Sequence, residues 1–177
     1  MQAVAFLRGM NVGGHRITNA DLAKAFSALG FEGVATYRAS GNVMFDGDAT
    51  EATGKRIATG LEAALGYPVP TLLRSGAEVA ELAGMQPFSD GQLASSKGKI
   101  QVMLLAEDPS EPLRTEILGM LPADEAIAFR DRALVWLPAA GILDSDFDWV
   151  GVQRLLGVTT TRTQGTLQGL AKKLTPR

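Results

Sequence analysis

The chain has 177 residues, no cysteine and a single histidine, His15. This excludes disulfides, zinc fingers, iron–sulfur ligation, cysteine nucleophiles and multi-histidine metal sites. The net charge of −2 is unevenly spread, +2 over residues 1–45 and −4 over the rest; a basic feature on an acidic body suits one anionic ligand better than a coat of nucleic acid.

Residues 3–7 are short, apolar and followed by Gly9, the pattern of a buried strand. Residues 9–16 form a glycine-rich polar loop. Thr18-x-x-Asp21 approximates a capping box, and Leu22, Phe26 and Leu29 give the helical period after it. Gly30 stops that helix. Residues 33–38 and 42–45 read as two strands joined by a tight turn at Ala39-Ser40-Gly41. Thr50 opens a second helix on Ile57, Leu61 and Leu65, ended by Gly66. Residues 69–74 read as an edge strand because of Pro70. The order so far is β-α-β-β-α-β, the ferredoxin-like unit.

A connector follows. Ser75-x-x-Glu78 opens a short helix, and residues 84–98, rich in Gly, Ser, Gln and Pro without a period, read as a loop. The pattern then restarts. Residues 100–106 read as a strand. Ser110 opens a helix that Pro122 ends. Residues 126–130 and 133–137 flank an Asp131-Arg132 turn, residues 146–156 read as a helix and residues 158–162 as a strand. A last helix is expected over residues 164–174. The predicted fold is α+β, an α/β sandwich. It has two tandem ferredoxin-like β-α-β-β-α-β subdomains with antiparallel sheets, plus a C-terminal helix. Their expected ranges are 1–75, a helix and loop connector over 76–98, and 99–177.

This topology predicts a site. In the ferredoxin-like order the first and third strands are antiparallel neighbours, so the first ends where the third begins. The loop after the first strand and the turn before the third then share one end of the sheet. That convergence gathers Arg8, Gly9, Asn11, Gly13, Gly14, His15, Tyr37, Arg38, Ser40, Gly41 and Asn42. Backbone N–H groups of a glycine-rich loop form an anion-binding nest, and two arginines supply charge. The same end of the second subdomain has Glu107, Asp108, Pro109, Asp131 and Arg132, without glycine, and reads as scaffold. The expected partner is a small anionic ligand, a nucleotide or a phosphorylated or carboxylated metabolite.

Other motifs are weaker. Gly9-x-x-x-x-Gly14 has the glycine spacing of a phosphate loop, but His15 and Arg16 stand where that motif needs Lys and Ser or Thr. Arg38, Gly41, Val43 and Phe45 follow part of an RNA-recognition strand, yet Ser40 and Asn42 replace two base-stacking aromatics. Asp144-x-Asp146-x-Asp148 starts like a calcium loop, but Trp149 and Leu155 occupy its glycine and final acid positions, so these acids read as a helix start. Trp136 and Trp149 fall at core periods. Two alternatives stay open. One is a metal-free enzyme using His15 or Tyr37 as acid or base, with arginines stabilising an anion. The other is an RNA- or protein-binding module using an open first-subdomain sheet face with Phe6 and Phe45 exposed. No metal or cofactor is expected. The longest charge-free apolar stretch, residues 133–143, is interrupted by Pro138 and falls short of the about 20 residues a spanning helix needs. No membrane contact is therefore expected, and the expected location is the cytoplasm.

Two strings carry a resemblance. Leu7-Arg8-Gly9-Met10-Asn11-Val12-Gly13-Gly14, with Thr36-Tyr37 and Ser40-Gly41-Asn42 through Phe45, resembles the bacterial family called domain of unknown function 1697. A family string near the C-terminus is partly present as Thr160-Thr161-Arg162-Thr163-Gln164-Gly165-Thr166, which marks Arg162 and Thr166 as a secondary candidate pair. Met10 stands where the family usually has Ile, and His15 where Lys or a polar residue is common. Thr163-Gln164 replaces an Asn-Trp pair. The resemblance implies an α/β fold of two subdomains and no established activity.

Overall fold

The computed structural model describes residues 1–10, 16–39 and 41–174. The chain divides into two compact units, Met1–Leu82 with Gly169–Arg177, and Ala83–Gln168.

The first unit contains β1 (Gln2–Leu7), α1 (Asn19–Ala28), β2 (Glu32–Thr36), β3 (Asn42–Asp46), α2 (Glu51–Leu65) and β4 (Thr71–Ser75). Its sheet order is β2-β3-β1-β4 with antiparallel neighbours. Helix α1 starts where its cap dictates: Thr18 Oγ1 accepts the Asp21 N–H at 3.1 Å and donates to the Asp21 carboxylate at 2.7 Å. That second bond is the main reason the Asp21 carboxyl ionises below its ordinary value. Thr50 caps α2 in the same way, and Gly66 ends it in the left-handed conformation, φ +79°. The core lies between these helices and one sheet face. Phe26, Phe31 and Phe45 form its aromatic centre, with ring centroids 4.8–5.9 Å apart.

Helices α3 (Gly76–Gly84) and α4 (Asp90–Ser95) follow. Helix α3 begins with a reciprocal cap, Ser75 N–H to Glu78 Oε2 at 2.7 Å and Glu78 N–H to Ser75 Oγ at 3.2 Å. Helix α4 lies inside the stretch expected to be loop. It is too short to show a period, and a capping box between Ser89 and Gln92 holds it.

The second unit contains β5 (Gln101–Leu105), α5 (Glu111–Gly119), β6 (Ala126–Arg130), β7 (Ala133–Leu137), α6 (Trp149–Leu156) and β8 (Thr159–Thr163); α7 (Gln164–Ala171) then runs out of it into the first unit. The sheet order is β6-β7-β5-β8, again antiparallel. Trp136 is fully buried and stacks on Trp149 at 4.6 Å, with Phe147 alongside, so both tryptophans are packing residues. Asp148 caps α6, accepting the Gly151 N–H at 2.8 Å, which is why the helix begins three residues later than expected. Ser110 holds the N-cap position of α5 but makes no side-chain cap bond there. Strand β4 starts only after Pro70, which has no N–H for the ladder. Helix α7 closes at Ala171, three residues before the expected end. Among the described residues, no helix is long and apolar enough to cross a membrane.

Candidate functional site

The predicted convergence is present in the first unit. Strand β1 ends at Leu7, whose N–H donates to Gly41 O at 2.8 Å, while the Arg8 N–H donates to Pro70 O at 2.9 Å. The start of the loop therefore abuts the turn before β3. Gly41 sits at φ +69°, and a Cβ there would come within 2.9 Å of Met10 Cγ, 3.0 Å of Leu7 Cβ and 3.2 Å of Leu7 O. Only glycine allows both the conformation and the approach. Gly9 is also left-handed, at φ +76°. Asn11, Gly13, Gly14, His15 and Ser40 lie outside the described residues.

The remaining candidates divide into exposed cations and structural partners. Arg8 and Arg38 are exposed, and among the described residues neither guanidinium joins an ion pair. Arg38 has φ +56°, an uncommon conformation for a side chain this size, which ends β2 two residues earlier than expected. Asn42 is fully buried; its Nδ2 donates to Tyr37 O at 2.9 Å while its own carbonyl accepts the Tyr37 N–H at 2.9 Å. It latches the turn shut. Tyr37 is half-buried, with Arg38 Cζ 5.5 Å and Lys173 Nζ 5.9 Å from its ring centroid. A Cβ on Gly169 would collide with the Tyr37 hydroxyl, so the ring lies directly on the backbone after α7 has entered the first unit.

Lys173 and Gly169 were not singled out by the sequence. Gly169 leaves a faint signal, because glycine inside a helical period costs about 1 kcal/mol and marks a close approach. Lys173 leaves none. Arg162 and Thr166 belong to the second unit. Arg162 is 9% exposed and donates to Thr160 Oγ1 and Thr161 O, each at 2.8 Å; burial lowers its pKa to about 10. Arg74 holds the matching place in the first unit, opposite Val4 as Arg162 is opposite Val102, and it is buried too. Thr166 N–H donates to Thr163 Oγ1 at 3.2 Å, capping the start of α7.

Among the described residues, the first unit shows no open sheet face. Phe6 and Phe45 both have 0% exposure. Phe45 points into the helix-covered core, and on the opposite face Val4, Phe6, Met44 and Leu72 are buried as well. Neither ring offers a base-stacking platform.

The second unit supplies a control. Its strand β5 ends at Leu105, whose N–H donates to Arg132 O at 2.8 Å, as Leu7 does to Gly41. The registers agree, Phe6 with Asn42 and Leu104 with Ala133. There the turn's Arg132 N–H donates to Asp108 Oδ1 at 2.7 Å, and Arg114 Nη2 lies 3.8 Å from the same oxygen. The second turn thus carries a carboxylate of its own. In the first unit the residue three beyond the strand end is Met10, and residues 1–20 and 33–45 contain no acid.

Comparison with known proteins agrees with this architecture. A conserved bacterial protein, SP0830 from Streptococcus pneumoniae, has a similar fold, with a TM-score of 0.70 at 19% identity over 98% of this chain and 97% of that one. No curated protein matches. The model of the family described as protein of unknown function, DUF1697, matches residues 1–134, and the chain belongs to that family.

Proposed function

We propose that the chain binds a small anion, a nucleotide or a phosphorylated or carboxylated metabolite, at the end of the first sheet. Arg8 and Arg38 supply charge, the exposed left-handed Gly9 leaves backbone open to the ligand, and Gly41 lets the turn close on Leu7 beside it. One observation carries the reading: at the matching turn of the second unit a protein carboxylate, Asp108, receives the backbone N–H and faces an arginine, whereas the first unit keeps the arginines and has no acid in either segment. The shared β-α-β-β-α-β order reads as an internal duplication in which one copy lost its internal anion, or the other gained it. The cytoplasm is the location that suits such a ligand.

Thermal unfolding against phosphate, nucleotides and small carboxylates tests this. A ligand at about a hundred times its dissociation constant stabilises by about 2.7 kcal/mol, which raises the Tm of a chain this size by about 5–10 °C. The Arg8→Ala/Arg38→Ala double variant should lose that rise. If no anion raises the wild-type Tm more than that of the double variant, the reading fails.

A further inference from the structure

The segment after α7 brings a further cation, Lys173, to Tyr37 in the first unit. Tyr37 is contacted by Arg38 and Lys173, each within 6 Å of the ring centroid, and Lys173 is exposed. The two cations are therefore at most about 11 Å apart, a span that one linked polyanion can cover. The arrangement is built rather than incidental. Gly169 lacks the Cβ that would displace the phenol, the Asn42 amide holds the Tyr37 backbone, and the Lys173 N–H is fixed to Leu170 O at 2.8 Å. The acids nearest Tyr37 in sequence are Glu32 before it and Asp46 after it, and residues 149–177 around Lys173 contain none.

Resting on the anion reading above, we propose that Tyr37 and Lys173 form a second subsite beside Arg8 and Arg38, so that the ligand carries at least two linked phosphoryl groups. The first group sits at the strand end with Arg8 and Arg38. The next is met by the Lys173 ammonium, with the Tyr37 hydroxyl as a neutral donor. A single phosphate engages only the first subsite, whereas an oligophosphate bridges both and gains by effective concentration.

Calorimetric titration with inorganic phosphate and with inorganic tripolyphosphate tests this on wild type, Lys173→Gln, Lys172→Gln, Tyr37→Phe and Arg8→Ala/Arg38→Ala. Wild type should bind tripolyphosphate at least about tenfold tighter than phosphate. Lys173→Gln should lose about tenfold for tripolyphosphate and less than about twofold for phosphate. Lys172→Gln, one residue away and also exposed, should change neither by more than about twofold; Tyr37→Phe, which keeps the ring, should weaken tripolyphosphate alone. If Lys173→Gln and Lys172→Gln act alike, or Lys173→Gln weakens both ligands equally, the second subsite is wrong while the anion site stands. If wild type binds neither ligand, or the double arginine variant binds both normally, the anion site itself falls, and the subsite with it.

Discussion

The hairpin turns of the two units have the same frame and opposite chemistry. Each receives the N–H that follows a central strand, from Leu7 at Gly41 and from Leu105 at Arg132. Each contains residues forced to positive φ: Arg38 and Gly41 in the first, Asp131 and Arg132 in the second. The second turn satisfies its exposed N–H with the Asp108 carboxylate and balances that carboxylate with Arg114. The first has arginines and glycines but no carboxylate. Backbone strain alone therefore does not mark a site, because both turns share it. The proposed anion reading rests instead on Arg8 and Arg38, which join no ion pair among the described residues.

The comparison can be broken at several points. Gly41→Ala should have the largest effect, about 2–3 kcal/mol by denaturant titration, because it adds a left-handed side chain and a clash with Leu7 and Met10. Asp108→Ala should cost about 1 kcal/mol by removing the carboxylate that the exposed Arg132 N–H and Arg114 share. Inorganic phosphate should recover part of that loss, making the second turn anion-responsive; an Asp108→Ala protein indifferent to phosphate would mean the two turns are not chemically comparable.

Helix starts give a second contrast. Thr18→Ala should cost about 1 kcal/mol, whereas Ser110→Ala, at the matching helix start but without a cap bond, should cost only about a few tenths. Part of the Thr18 effect should depend on pH. Asp21 ionises below its ordinary value of 3.8 chiefly through the Thr18 hydroxyl. A carboxylate whose folded pKa is depressed stabilises above its unfolded pKa and loses that contribution as pH falls through the folded value. The Tm gap between wild type and Thr18→Ala should thus be full at neutral pH and narrow below pH 3.8. The smallest effect belongs to Arg132→Gly, close to neutral, because relief at φ +57° is offset by a more flexible unfolded chain.

Most of the architecture was legible because it rests on local rules. Short apolar runs, buried along their whole length, mark β5 and β7, Thr18 and Thr50 mark helix starts, and Gly66 marks a stop. In both sheets the first and third strands are antiparallel neighbours, as expected. What escaped had no local signature. Helix α4 is a single capped turn and a half, too short for periodicity. Strand β2 ends at Thr36 because Arg38 turns left-handed, which nothing in arginine's propensity announces. Asn42, grouped with the ligand contacts by position, is a buried latch whose role depends on the Tyr37 backbone. Lys173 and Gly169 reach Tyr37 only because α7 leaves the second unit for the first, a long-range event no window of sequence contains. The pairing of Asp108 with the Arg132 N–H was hidden likewise, although the acid content of that end was plain.

The most direct test of the central claim follows backbone amides by nitrogen–proton correlation NMR during titration with inorganic phosphate. Saturable shifts are expected at Arg8, Gly9, Arg38 and Gly41, all abolished in Arg8→Ala/Arg38→Ala, with Leu105 and Arg132 unmoved. Equal movement at Arg132, or a uniform drift that never saturates, would contradict it.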